Sequence, residues 1–272
     1  VGQYPLCNGQ MYGAKSLMLN GGGNLGNYLY YEEYRLDRQM PVEEAGNMLL
    51  TLAAIKKYSG GDTTLFDENC DLMKTWADYL VRFGYDPENQ LCTDDFAGHL
   101  ARNCNLSLKA ILGIAAYAEL SHDDSYTEIA KRYAKRWEID AKASHGATRL
   151  TFDGSEGWSL KYNIVWDNLL GYGLFSDEVK KNEIKVYTSK MKRYGVPLDS
   201  RSDQTKIDWL MWSTCIYRDK DYFNAVCESI EGMINETLDR VPLADFYYTS
   251  TADYREFRGR SVVGGLFINL LS

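Results

Sequence analysis

The chain has 272 residues, of which 45% are hydrophobic, so it carries enough apolar material for a substantial core without cross-links. Its formal net charge is −8 and its pI is near 5.0. Such a chain lacks the extended positive surface that neutralises phosphates, which argues against nucleic acid and anionic membranes as partners. Small neutral or cationic substrates fit this charge better.

No apolar stretch approaches the roughly 20 residues that span a bilayer. Val1 to Pro5 lacks the basic-then-apolar order of a signal peptide, so we expect a mature form or a fragment. The six cysteines show no C-x-x-C pairing, and several fall on apolar helix faces. Free thiols and disulfides are both compatible with this pattern.

Residues 1–40 are rich in Gly, Tyr and Asn without a sustained period, and we interpret them as an irregular N-terminal arm. A helix is predicted to begin at Pro41, because proline suits the first helical turn and the following acids Glu43 and Glu44 face the positive end of the helix dipole. The nearly continuous apolar run from Met48 to Ile55 indicates that this helix is buried.

From Pro41 onward, buried helices alternate with amphipathic ones. An amphipathic helix is predicted around residues 66–83, followed by a buried helix at 103–120 and an amphipathic one at 126–137. Further pairs are predicted at 163–175 with 177–194 and at 205–217 with 221–238, and residues 261–271 are expected to form another inner helix. This loose repeat over residues 41–272 favours an α/α toroid or an α-solenoid.

The loops that lead into the inner helices combine acids with aromatic or amide side chains. In a stack of antiparallel hairpins these loops emerge at one end, and convergent polar groups there form the expected substrate site. The predicted catalytic residues are Asp94, Asp95, Asp199 and Asp208. The predicted substrate-binding residues are Glu43, Glu44, His99, Asn103, Trp158, Lys161, Arg201, Trp209, Asp245 and Tyr247.

Each of these residue types also has a purely structural interpretation. Paired carboxylates can divide acid and base roles, but Glu43 and Glu44 can equally serve the helix dipole, and Asp94 can cap a helix or turn. The loop aromatics Trp158, Trp209, Tyr247 and Tyr248 can form flat walls for a sugar or a peptide, or they can belong to the core. Trp76 and Trp137, on the outer helices, are expected in the core.

Other short motifs carry little weight. Gly21 to Gly26 matches G-x-G-x-x-G, but no apolar strand precedes it. Ser189 to Lys192 matches S-x-x-K but falls on a solvent-facing helix. Cysteine and histidine spacings do not match a zinc site, so neither a metal nor another cofactor is expected.

Several segments together resemble the helical C-terminal domain of the glutaminase A family. They are PVEEAGNM (41–48), DPENQLCTDDFAGHLARNCNLSLKAILGIAAYAEL (86–120), KYNIVWDNLL (161–170), YGVPLDSR (194–201), TKIDWLMW (205–212), RVPLADFYYT (240–249) and VVGGLF (262–267). They occur in order from about Tyr31 to the C-terminus, and the DDFAGHL and PLDSR blocks are the most specific.

The resemblance implies a mainly α fold, a six-hairpin glycosidase-like (α/α) toroid with short β segments in its loops. About four and a half hairpins are recognisable, so the ring is either incomplete or completed by residues 1–40. Members of this family carry upstream β-rich domains and are exported, which implies an extracellular or periplasmic location. They are known as hydrolases of glutamine to glutamate and ammonia.

Three hypotheses follow. In an amide hydrolase, Asp95 or Asp199 would activate water, Arg201 or Lys161 would hold the substrate carboxylate, and Asn103 or His99 would assist the carbonyl oxygen. In a glycosidase, two of Asp95, Asp199, Asp208 and Glu44 would act as acid and base. A non-catalytic module that binds a glycan or a neighbouring domain would show aromatic side chains without a pKa-perturbed acid.

Overall fold

The computed structural model describes residues 40–144, 146–238 and 240–271. The predicted irregular arm over residues 1–40, apart from Met40, and the glycine pattern at 21–26 lie outside the described residues. The chain divides into two compact units, residues 1–129 and residues 130–272, and the boundary falls inside one helix.

Helices account for most of the described chain. The first unit contains α1 (Pro41–Tyr58), α2 (Thr64–Asp67), α3 (Cys70–Phe83), a 3-10 turn (Asp95–Ala97) and α4 (Cys104–Ser121). Helix α5 (Asp124–Asp140) begins in the first unit and ends in the second. The second unit contains a 3-10 turn (Tyr162–Ile164), α6 (Val165–Leu170), α7 (Asp177–Lys190), β1 (Gln204–Lys206), α8 (Ile207–Ser213), α9 (Lys220–Glu236), β2 (Phe246–Tyr248) and a C-terminal 3-10 helix (Ser261–Leu271).

Helices α1 and α4 pack closely and form the centre of the first unit. Nearly every residue of α4 is buried, as predicted for an inner helix. The two backbones approach each other at Gly46 and Gly113: a Cβ added to Gly113 would lie 3.1 Å from the Gly46 Cα and 2.9 Å from Leu80 Cδ1. The glycines therefore permit a helix crossing that larger residues would obstruct.

The amphipathic partners of these inner helices are confirmed. Helix α3 buries Met73, Trp76, Ala77 and Leu80 and exposes its charged side chains. In the second unit, Trp137 of α5 is fully buried and packs edge-on against Phe175, with ring centroids 5.6 Å apart. Trp76 and Trp137, which are both predicted to lie in the core, are therefore buried there.

The inner helices of the second unit are shorter than predicted. Helix α6 covers six residues and ends at Gly171, whose φ of 84° lies in the left-handed region. Residues predicted to begin the next inner helix form β1 instead, which pairs antiparallel with β2 so that Thr205 faces Tyr247 and Lys206 faces Phe246. Long-range strand pairing therefore replaces the first helical turn. The two strands bear out the expected short β segments.

The prediction of a buried inner helix at residues 261–271 is wrong. This segment is a 3-10 helix in which Ile268 is the one buried residue among those described. Its Gly264–Gly265 pair disfavours an α-helix. A Cβ on Gly265 would lie 2.6 Å from Asp208 Cβ and 2.9 Å from Trp212 Nε1, so close packing on α8 requires this glycine.

The described chain is mostly helical, as the sequence predicts, and consists of successive helix pairs. Closure of these pairs into a toroid stays a prediction. Within the ranges that the structure describes, every helix is too short or too polar to cross a membrane.

Candidate functional site

In the first unit, the start of α1 and the loop before α4 bring four ionisable side chains together, which we call the acid–thiol cluster: Glu43, Cys92, Asp94 and Asp95. Glu43 Oε2 accepts a hydrogen bond of 3.3 Å from the backbone N–H of Thr93, which joins the first turn of α1 to the loop. Lys109 Nζ of α4 lies 3.3 Å from Glu43 Oε1, and both side chains are buried. Three separate segments therefore position this cluster.

Asp94 is held by amide groups. Its Oδ1 accepts a 3.1 Å hydrogen bond from Asn103 Nδ2, and its Oδ2 accepts one of 3.1 Å from Asn105 Nδ2. Asn103 is also the N-cap of α4, because its Oδ1 accepts hydrogen bonds from the backbone N–H groups of Asn105 and Leu106. The amide oxygen and the amide nitrogen of Asn103 therefore both make hydrogen bonds within the fold. Its predicted role beside a substrate carbonyl is not favoured.

Asp95 is the partly exposed carboxylate of the acid–thiol cluster. It accepts hydrogen bonds from the backbone N–H of Cys92 (3.0 Å) and from the Cys92 thiol (3.2 Å). Burial raises the pKa of Asp95, and the nearby Asp94 adds to this increase. A partly exposed carboxyl with a raised pKa can exchange protons with a ligand.

The Cys92 thiol is buried and close to carboxylates. Its Sγ lies 2.6 Å from Asp94 Oδ1. Burial raises the pKa of Cys92 well above its usual value, and the negative charges of Asp94, Asp95 and Glu43 raise it further. The thiol is therefore protonated at neutral pH and is a poor nucleophile.

The same side chains have the spacing of a metal-ligand set. The Cys92 sulfur and carboxylate oxygens of Asp94 and Asp95 all lie within 4.8 Å of one another. Thiolates and carboxylates are both ligands of zinc-type ions. Paired cysteines and histidines do not reveal this set in the sequence; the signal is one cysteine two residues before an Asp–Asp pair.

Glu44 and His99 lie beside the acid–thiol cluster. Glu44 is partly exposed, and burial together with the adjacent Glu43 raises its pKa. His99 is exposed, and its charge lowers the pKa of Asp95, against the larger effect of burial. Both side chains are thus accessible, as the predicted site requires.

In the second unit, two of the predicted site loops pair with each other. Ser159 and Asp199 form an isolated β-bridge, and the backbone N–H of Leu160 donates to the Leu198 carbonyl at 2.8 Å. The backbone N–H of Ser200 donates to the Trp158 carbonyl at 2.9 Å. Loops about 40 residues apart in sequence therefore meet in this unit, as predicted.

Asp199 and Arg201 are bound to one another. Asp199 Oδ1 accepts from the Arg201 backbone N–H at 2.7 Å, and Asp199 Oδ2 accepts from the guanidinium at 2.7 Å. Asp199 is buried, so this ion pair stabilises the turn. The arrangement does not favour Asp199 as a water-activating base or Arg201 as a free anchor for a substrate carboxylate.

Lys161 is likewise engaged in the fold. Its side chain is fully buried, and Nζ donates to Ser159 Oγ at 2.8 Å and to the Ser159 carbonyl at 3.2 Å. An ammonium group in this position cannot reach an external ligand without disrupting the loop. Its predicted role in holding a substrate is therefore disfavoured by its burial.

A buried ion network links β1, α8, the residue before β2 and the segment before the C-terminal 3-10 helix; we define this network as Lys206, Asp208, Asp245 and Arg260. Asp245 forms ion pairs with both Lys206 and Arg260. Burial alone would raise the pKa of Asp245, but hydrogen bonds from Arg260 and Lys206 outweigh it and lower the pKa. Asp245 is therefore ionised and structurally bound rather than available to a substrate.

Asp208 pairs with fewer cations in this network than Asp245 does. Its Oδ1 lies 3.4 Å from Lys206 Nζ but has no hydrogen-bond partner among the described residues, and it is shielded from solvent. Burial raises the pKa of Asp208, and the Lys206 charge offsets part of this effect. Its burial makes direct contact with a ligand less favourable than at Asp95.

The loop aromatics divide between core and surface. Trp209 is buried and stacks on Tyr162 with ring centroids 4.5 Å apart and planes 2° apart. Tyr247 is fully buried, and its hydroxyl donates to the Tyr194 carbonyl at 3.0 Å. Their burial corrects the prediction that these two rings contact substrate, whereas Trp158 and Tyr248 are partly exposed.

Two cavities described in the second unit lie elsewhere. One of about 630 Å³ borders residues 214–220, and one of about 450 Å³ borders parts of residues 135–142, 146–148 and 176–183. None of the predicted site residues lines either cavity. Among the predicted residues, Asp95, Glu44 and His99 combine accessibility with acid–base chemistry.

Comparison with known proteins agrees with the sequence resemblance. Residues 1–270 match the family described as the glutaminase A six helical-hairpin domain. The chain is similar to a protein named Glutaminase A from Aspergillus oryzae, with 34% identity over 252 residues that cover 86% of this chain and 36% of the relative. It is also similar to a protein named Probable glutaminase from Arthroderma benhamiae, with 33% identity over 234 residues, or 72% of this chain and 27% of the relative.

The chain thus spans about a third of the length of the curated relatives that it matches. The family match covers both units and the ordered series of helix pairs described above. The chain belongs to the glutaminase A family and corresponds to its six helical-hairpin domain.

Proposed function

We propose that this chain contributes the catalytic carboxyl group of a hydrolase that converts the side-chain amide of glutamine to a carboxylate and ammonia. The observation that carries the proposal is Asp95, a partly exposed carboxyl with a raised pKa that is hydrogen-bonded within the acid–thiol cluster. The names of the relatives support the choice of glutamine as substrate.

In this proposal, the Asp95 carboxylate accepts a proton from a water molecule as the water oxygen attacks the amide carbon. The same proton is then delivered to the departing nitrogen, so the carbon–nitrogen bond breaks and ammonia leaves. The backbone N–H and the thiol of Cys92 hold the Asp95 carboxyl in place. Glu44 is a second accessible carboxyl group beside the cluster, and its pKa is also raised by burial.

The other two hypotheses have less structural support. Of the four acids in the glycosidase hypothesis, Asp199 is buried and paired with Arg201, and Asp208 is also buried. Two of its four candidate acids are therefore not open to a glycan. A non-catalytic module predicts exposed aromatics without a perturbed acid, whereas Trp209 and Tyr247 are buried and Asp95 has a raised pKa. The amide hydrolase needs one accessible carboxyl group and agrees with the names of the relatives, so it is the function that we favour.

The test is ammonia release from glutamine by the full-length protein carrying Asp95→Asn. We expect kcat to fall by about 10² to 10⁴, the usual contribution of a general base or acid. In the unmodified enzyme, activity should fall as the pH drops through the raised pKa of Asp95, because the attacking step needs the carboxylate. The Asp95→Asn variant should lose this dependence.

The matched control is Asp86→Asn, which makes the same chemical change at an exposed carboxylate that pairs with Arg102 in the same unit. We expect its kcat to stay within about twofold, since exposed ion pairs contribute little. Circular dichroism of both variants verifies folding. If the Asp95→Asn variant is folded and keeps more than about a third of the activity, Asp95 has no place in the mechanism, because loss of a general base costs far more.

A further inference from the structure

The second unit contains a cavity that is not lined by any residue of the proposed catalytic site. It has a volume of about 630 Å³, within the usual range for small-molecule sites, and residues 214–220 border it. Asp208 lies in the first turn of α8, whereas these residues follow its last turn. The cavity therefore lies at the opposite end of α8 from the buried ion network.

The base of the cavity is held by internal hydrogen bonds. Lys180 Nζ donates to Asp167 Oδ2 and Asn168 Oδ1, each at 2.7 Å. The Asn168 amide donates to the carbonyls of Cys215 and Ile216 at 2.6 and 2.7 Å. These contacts link α6, α7 and the segment after α8, so the cavity is preformed.

Part of the lining is apolar or uncharged. Phe223 lines one side, and the Cys215 thiol donates to Asn269 Oδ1 at 3.2 Å. Burial raises the pKa of Cys215 to about 11, so the thiol is neutral and behaves as a small apolar group. This surface suits an aliphatic side chain.

The opening carries charges of both signs that the fold does not use. Arg218 and Lys220 line the cavity and are exposed, and their side chains make no ion pair or hydrogen bond with any residue that the structure describes. Asp177, in the first turn of α7, also lines the cavity, and its carboxylate is likewise unengaged within the described ranges. Lys180 and Asp219 also line the cavity but are engaged in the fold, so two unengaged cations and one unengaged anion border a single concave surface.

We propose that this cavity binds a free α-amino acid. The ligand carboxylate would pair with Arg218 and Lys220, whose charges suit a small carboxylate. The ligand ammonium would pair with Asp177, and its side chain would lie against Phe223 and Cys215. This site goes beyond the proposed function and does not include its catalytic residues.

The test is isothermal titration calorimetry of the full-length protein with L-glutamate. The double variant Arg218→Gln/Lys220→Gln should weaken binding at this site about tenfold or more, the effect of losing about 1.4 kcal/mol of interaction. Lys185→Gln/Lys190→Gln removes the same charge from exposed positions on α7 outside the cavity and should leave the affinity unchanged. Equal affinities in both double variants would overturn the proposal.

A second test compares ligands that carry different charged groups. Glutarate lacks the ammonium group, so Asp177→Asn should weaken L-glutamate binding but not glutarate binding. If glutarate or inorganic phosphate binds the unmodified protein as tightly as L-glutamate, the site is a general anion site and the amino-acid assignment is wrong. Product binding at the proposed catalytic site would appear as a separate event that Arg218→Gln/Lys220→Gln leaves intact. If the proposed function is wrong, only that separate binding event would be absent.

Discussion

Among single residues, burial decides which ionisable side chains can take part in chemistry. Asp94 and Asp95 are adjacent in sequence, yet amide donors enclose Asp94 and Asp95 stays partly exposed. Lys161 and Asp199 are also candidates from the sequence pattern. Both side chains are buried, however, and both are hydrogen-bonded to neighbouring groups. Sequence identifies the residue types, whereas exposure depends on neighbours that are distant in the chain.

Cys92 provides a test of this argument at the residue scale. Because burial and three carboxylates keep its thiol protonated, Cys92→Ser should keep kcat for ammonia release within about threefold. Treatment with iodoacetamide at neutral pH should likewise leave activity intact. A loss of about a hundredfold in a folded Cys92→Ser variant would instead identify the thiol as the nucleophile.

Among the elements, the helix crossing in the first unit depends on small residues. Gly113 of α4 faces Gly46 of α1, and an added methyl group would meet Leu80 at 2.9 Å. The sequence correctly predicts both helices as buried from their apolar runs. It does not predict which residues of α1 and α4 touch, because the two segments are about 60 residues apart.

Gly113→Ala should therefore destabilise the protein by about 1–3 kcal/mol, the usual cost of overpacking a core. The control is Gly232→Ala in α9, where the new Cβ meets nothing closer than Tyr194 at 3.8 Å. That variant should be stabilised by about 0.5–1 kcal/mol, because alanine is the better helix former. Urea denaturation compares the two, and equal stability changes would contradict this account of the crossing.

At the scale of the whole molecule, the described chain combines two compact units that hold different charged clusters. The buried ion network of the second unit joins β1, α8, the residue before β2 and the segment before the C-terminal 3-10 helix. Removing the Asp245 charge would leave Lys206 buried beside Asp208 alone. We therefore expect Asp245→Asn to cost about 3–5 kcal/mol at neutral pH.

The pH dependence follows from the lowered pKa of Asp245. The contribution of the Asp245 carboxylate to the free energy of unfolding is complete above the unfolded-state pKa of about 3.9. This contribution is lost as the pH falls through the lower pKa of the folded state. The stability difference between the unmodified protein and the Asp245→Asn variant should thus shrink in acid. Denaturation at neutral pH and at about pH 3 measures this, with the exposed Asp253→Asn as control. A difference that stays constant between these pH values would contradict the ion-pair explanation.

The sequence by itself determined the helical class and the alternation of buried and amphipathic helices, because local periodicity records which face of a segment avoids water. It also placed the acids of the candidate site in the loops before inner helices. Only the tertiary structure decided that residues 204–206 are a strand, that the C-terminal segment is a 3-10 helix, and that Asp95 is accessible while Asp199 and Asp245 are paired. These outcomes depend on partners far away in sequence, and exposure and pKa are set by those partners.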